Sequence, residues 1–164
     1  MVYIDLDGVL ADVEKRIYQI GGLKAIEDPS TFIRICAEHS DKIFRDSEVI
    51  TENICLFKYK KDFRILSSLP HLNKFLRYNQ EYYDTETISK KYSQLRENKF
   101  AWLEEKLHIH PSKLILVNDS NEKLLYCQSE QDILFDDYYK TINKWREKGG
   151  QAHLVEYKRK FLLQ

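Results

Sequence analysis

Asp5 and Asp7 stand two residues apart in Val2-Tyr3-Ile4-Asp5-Leu6-Asp7-Gly8-Val9, directly behind a short apolar run. Two carboxylates at one spot repel unless a cation lies between them, and oxygen-only ligation by Asp suits Mg²⁺. Successive strand side chains point to opposite faces, so both acids would share a face if the strand continued past Ile4. Gly8 permits a sharp turn just beyond them. A calcium loop would need a preceding helix and a Glu at its twelfth position; here a strand pattern precedes, and the twelfth residue counted from Asp5 is Arg16. The spacing predicts a metal-assisted site at the end of a first strand.

Two further apolar runs end in polar groups. Phe63-Arg64-Ile65-Leu66 runs into Ser67-Ser68, and Ile133-Leu134-Phe135 runs into Asp136-Asp137. In an open parallel sheet, ligands bind outside the carboxyl ends of the strands. Acids gathered there would hold Mg²⁺, which cancels their repulsion of a phosphate and polarises it. Lys123, ahead of the third cluster, is the candidate for neutralising charge on a transferred group. Lys99, one turn before Trp102 on a predicted helix, is its competitor. Each cluster also has a structural alternative: Asp5 and Asp7 as a polar turn, Ser67-Ser68 as a cap for the next helix, and Asp136-Asp137 as a helix N-cap.

The elements that must position these residues follow from pattern. Strands are expected over 2–6, 63–68, 113–117, 133–137 and 152–155. Helices are expected over about 12–20, where Gly21-Gly22 would stop the first, through much of 71–107, and over 138–148 before Gly149-Gly150. Asn118-Asp119-Ser120-Asn121 reads as a turn. Residues 124–126 could begin a short helix or strand. The stretch 23–60 is helical in pattern and lies between two strands, a candidate insertion or cap over the sheet edge. Alternation of strands and helices predicts an α/β fold with a mostly parallel sheet. The expected division is a catalytic core of 1–20 and 61–164 and a small helical cap of 21–60. Trp102 and Trp145 sit at helical spacing with other apolar residues and are expected in the core.

These residues carry a family resemblance that spans nearly the whole chain. Asp5-Leu6-Asp7-Gly8-Val9, Ser67, Lys123 and Asp136-Asp137 resemble the four motifs of the haloacid dehalogenase (HAD) superfamily of phosphotransferases. The run Asp5 to Asp12, Ile65-Leu66-Ser67-Ser68 with Pro70, Lys99…Trp102-Leu103, and the stretch from Lys123 to Asn143, Trp145 and Gly149-Gly150 resemble its 5′(3′)-deoxyribonucleotidase branch. The resemblance implies a three-layer Rossmann-like core and a phosphatase. Asp5 would be the nucleophile that forms an aspartyl-phosphate. The Asp5 carboxylate and the Asp7 backbone carbonyl would bind Mg²⁺. The Asp7 side chain would protonate the leaving alkoxide and then activate water. Ser67, assisted by Ser68, would bind a phosphoryl oxygen. Lys123 would hold nucleophile and phosphate together. Asp136 would complete the metal shell, with Asp137 a ligand through water or directly. The chain departs from the branch at Val13, where an aromatic usually follows the Asp ending the first motif, and at Ser67, which is often Thr. The 23–60 stretch has no Trp but contains Phe32, Phe44, Phe57 and Tyr59.

Bulk composition narrows the partners. The chain has 164 residues, with Lys+Arg 26 balancing Asp+Glu 26, so no global field draws in long nucleic acid. Hydrophobic content of 43% and charged content of 32% describe a soluble, foldable chain. Eleven Tyr and eight Phe are many for this length; most are expected in the core or on half-buried surface, and some could stack on a flat ligand. No apolar run is long enough to span a membrane. The first strand begins at residue 2, leaving no room for a signal peptide. Cys36, Cys55 and Cys127, odd in number and without metal spacing, read as reduced buried thiols in a cytoplasmic protein. The expected substrate is a small phosphoester, a nucleoside monophosphate first. The alternatives are another small phosphoester, the 3′-phosphate of an oligonucleotide, and a non-catalytic nucleotide-binding module.

Overall fold

β-Branched and aromatic residues suit a pleated, half-buried surface, and the apolar runs do form strands. The computed structural model describes residues 1–58 and 60–164; Tyr59 lies outside the described residues. Strands β1 (Val2–Ile4), β2 (Phe63–Ser68), β3 (Leu114–Val117), β4 (Ile133–Asp136) and β5 (Gln151–Leu154) form one sheet in the order β3-β2-β1-β4-β5. Every neighbouring pair is parallel, and Ile4 is in register with Ile65 on one side and Phe135 on the other. The fold is α/β, as expected, with a Rossmann-like strand order. The chain steps outward from β1 to β3, then returns to the other side of β1 for β4 and β5. The gap between β1 and β4 is thus a topological switch point, where two carboxyl strand ends open side by side.

The α-helices are α1 (Val13–Glu27), α2 (Pro29–Glu38), α3 (Cys55–Lys58), α4 (Leu72–Asn79), α5 (Thr85–Leu107) and α6 (Tyr139–Glu147). Packing divides the chain into two units: 1–12, 49–68 and 112–164 in the first, 13–48 and 69–111 in the second. This partition differs from the expected core and 21–60 cap. Residues 49–58 pack with the sheet, while 69–111 join the helices that follow the first motif.

In the first unit, alternate residues of all five strands build a core against α6. Tyr3, Leu66, Val117, Leu134 and Ala152 meet Ile142 and Trp145, with Ile115, Leu124 and Tyr126 packed at the margin. Trp145 is fully buried and makes an edge contact with Tyr3 at 5.6 Å. In the second unit, Pro29 opens α2 behind Asp28, whose carboxylate accepts from the Thr31 amide at 2.9 Å. Asp84 caps α5 through Thr87 in the same way, at 2.7 Å. Trp102 on α5 is buried, and its indole donates to the Ser47 carbonyl at 2.8 Å. Both tryptophans are core residues, as their spacing predicts.

Three local expectations are corrected. The first strand ends at Ile4, because the amides of Leu10 and Ala11 both donate to the Leu6 carbonyl and curl the chain at once. α1 does not stop at Gly21-Gly22. It kinks at Gly22 (φ 69°) and continues to Glu27; Gly21 permits close packing, since a Cβ there would lie 2.2 Å from Ile35 Cδ1. Cys36 and Cys127 are buried, but Cys55 is exposed. Among the described residues no helix is long and apolar enough to cross a membrane.

Candidate active site

Three carboxylates converge at the switch point. Asp5 follows β1, Asp136 ends β4 and Asp137 follows it, and one oxygen from each lies within 4.8 Å of the others. Asp5 is held by the strand beside it, its amide donating to the Phe135 carbonyl at 2.8 Å. One carboxylate oxygen of Asp5 accepts from the Leu6 amide at 2.8 Å. Asp136 is fully buried, and its Oδ1 accepts from the Tyr138 amide at 2.8 Å. The N-cap of α6 is Tyr138, whose side chain makes no capping bond, so the Asp pair is not that helix's cap.

Lys123 lies against these carboxylates. It sits on the 3-10 turn Glu122–Tyr126, almost fully buried. Its ammonium lies 2.7 Å from Asp136 Oδ2 and 3.0 Å from Asp5 Oδ1. The turn is locked from both sides: the Asn118 amide donates to Glu122 at 2.8 Å, the Asn121 amide to Asp119 at 2.7 Å, and Lys144 to Asn121 at 2.6 Å. The predicted turn at 118–121 is therefore the device that aims Lys123. Lys99, equally buried, belongs to the second unit, where its ammonium lies 5.2 Å from the Phe44 ring.

The electrostatics reflect this crowding. Burial, with the charges of Asp136 and Asp7, raises Asp5 to about 7 against the pull of Lys123. Burial and the charges of Asp5 and Asp136 raise Asp137 to about 8. Burial by itself would lower Lys123, but the two carboxylates it touches outweigh that and raise it. The donor set suits Mg²⁺: hard oxygens only, with more negative charge than one ammonium balances. Gly8 leaves room beside the acids, since a Cβ on it (φ 79°) would come within 2.1 Å of Asp137 Oδ2.

The remaining candidates fall around this centre. Asp7 is half-buried and outside the three-carboxylate cluster, though near enough for its charge to act on Asp5. Ser67 is fully buried and Ser68 half-buried, at the carboxyl end of β2, the strand next to β1. Neither caps α4, whose N-cap is His71.

Sequence reasoning missed what holds the first motif's loop. Asn53 donates to the Val9 carbonyl at 2.8 Å, Ile50 to the Leu10 carbonyl at 2.8 Å, and Val49 bridges Ala11. From the far end of the chain, the Tyr157 hydroxyl donates to Asp12. A lone Asn at the end of the 3-10 turn Thr51–Asn53 and a Tyr near the carboxyl end of the chain carry no local signal. No protein-family model matches this chain, and no curated protein matches its sequence.

Proposed function

We propose that this protein is a Mg²⁺-dependent phosphomonoester hydrolase of the haloacid dehalogenase type, acting on nucleoside monophosphates through an aspartyl-phosphate on Asp5. One observation carries the reading: a buried ammonium bridges Asp5 and Asp136 where three carboxylates meet at a sheet's switch point. Carboxylates held above their ordinary range cluster at functional sites, which supports this reading.

Asp5, Asp136 and Asp137 would hold the cation, which when bound offsets their repulsion and polarises a phosphoryl oxygen. Asp5 attacks phosphorus, and the P–O bond to the alcohol breaks. Asp7 gives its proton to the departing oxygen, then takes one from the water that cleaves the aspartyl-phosphate and restores Asp5. Lys123 favours the ionised form of Asp5, orients it and balances charge on the transferring group. The Ser67 hydroxyl, with Ser68 beside it, donates to a phosphoryl oxygen.

The test is phosphate release in Mg²⁺ from 5′- and 3′-nucleoside monophosphates, ribo and deoxy, beside a generic aryl phosphate. Release from nucleotides well above the aryl ester, abolished by EDTA, is expected. Release from the aryl ester alone would retain the chemistry and reject the nucleotide. No release from any ester would reject the enzyme reading.

A further inference from the structure

Directly after the Asp136-Asp137 pair the chain places two aromatic residues whose rings stay largely exposed. Tyr138 is 44% and Tyr139 55% exposed, while Trp145 and Ile142 on the same helix are almost wholly buried in the sheet's core. Tyr138 occupies the N-cap of α6, a position that favours Ser, Thr, Asp or Asn, and its side chain caps nothing. The Tyr138 backbone carbonyl starts the helix by accepting from the Thr141 and Ile142 amides, but its ring takes no part in the cap, and both rings lie outside the buried core.

Their placement is specific. The Tyr138 amide donates to Asp136 Oδ1 at 2.8 Å, so this backbone is part of the acidic centre's own scaffold. The two rings meet edge to face, with centroids 5.9 Å apart and planes at 64°. An edge-to-face pair keeps ring faces for a third ring, and a planar base stacks on an aromatic face whatever its sequence identity. Asp136, which the Tyr138 amide binds, shares the Lys123 ammonium with Asp5, so the pair begins two residues along the chain from the acidic centre.

We infer that the Tyr138–Tyr139 pair is the platform on which the aromatic base of the substrate stacks, so that it selects nucleotides over other phosphoesters. This rests on the hydrolase reading above and names the part of its substrate that is recognised.

The test compares a nucleoside 5′-monophosphate with 2-glycerophosphate, which has no ring. The Tyr138→Ala/Tyr139→Ala double variant should lower the nucleotide-to-glycerophosphate ratio of kcat/KM by roughly 10- to 100-fold, mainly through the nucleotide's KM. Tyr138→Phe/Tyr139→Phe should restore the ratio, because the ring and not the hydroxyl is used. An unchanged ratio in the alanine variant, or no rescue by phenylalanine, overturns the inference. A second arm does not need turnover. In an Asp5→Asn background with Mg²⁺, the alanine pair should weaken nucleotide binding by a similar factor relative to 2-glycerophosphate; equal affinities before and after overturn it. Loss of the hydrolase reading itself would appear separately, as absence of phosphate release from both esters by the unaltered protein.

Discussion

Asp132 and Asp136 stand at opposite ends of β4, and each has a cationic partner, yet the two ends behave differently. At the amino end, Asp132 takes the Met1 amino group at 2.9 Å and the amides of Gln128 and Ser129 at 2.9 and 2.8 Å. Burial would raise its carboxyl, but the ammonium and the two amides outweigh that and lower it. One negative charge meets one positive charge and its hydrogen bonds, and the site is closed. At the carboxyl end, one ammonium serves a cluster of three carboxylates, and two of them are pushed up to about 7 and about 8. The difference separates a charge-balanced ion pair from a cluster of carboxylates that share one ammonium. Burial is not the criterion, since Asp132 and Asp136 are both buried; the balance of charge is.

Four experiments break or sharpen this contrast. The largest effect belongs to Asp5→Asn, which should abolish phosphate release, by at least about 10³-fold, while leaving the cooperative unfolding transition intact. Substantial residual turnover would remove Asp5 as nucleophile. Lys123→Met should act on both stability and rate. Removing one partner of a buried pair costs about 3–5 kcal/mol, so urea denaturation should show a large drop, with activity down about 10²-fold or more in protein that remains folded. A stability change below about 1 kcal/mol would contradict its bridging role.

The third uses pH. Asp5 and Asp137 have folded-state values raised above the ordinary carboxylate value of 3.8. The unfolded chain releases those protons first. Their contribution to stability is therefore complete below about pH 4 and is lost as pH rises through about 7 to 8. Lys123 does not oppose this trend in that window, because its raised value lies far above it. In EDTA, stability should fall by a few kcal/mol, roughly, across this range, and Mg²⁺ should recover much of it. A flat profile in EDTA would show that the carboxylates are not crowded. The smallest effect is expected at the other end of the strand. Asp132→Asn should cost about 1–2 kcal/mol in thermal or urea unfolding and should leave the Mg²⁺ dependence of turnover unmoved. A changed Mg²⁺ requirement in that variant would mean that the two ends are not independent.

Local pattern alone set which residues end at the sheet's carboxyl edge. Apolar runs followed by Asp5, by Ser67-Ser68 and by Asp136-Asp137 are local patterns, and local patterns set element type and direction. Once strands are parallel, their carboxyl ends all fall on one edge, so the polar clusters had to arrive there. The turn at 118–121 and both buried tryptophans were legible for the same reason. Tertiary structure alone decided adjacency. It put β1 beside β4, which brings Asp5 and Asp136, far apart in the chain, onto one lysine. It chose Lys123 over Lys99, two residues whose local patterns do not rank them. It packed 49–58 with the sheet and recruited Asn53 and Tyr157 to the first motif's loop. Those choices depend on contacts between distant segments, where a single hydrogen bond to a backbone carbonyl or a capping carboxylate leaves no periodicity to read.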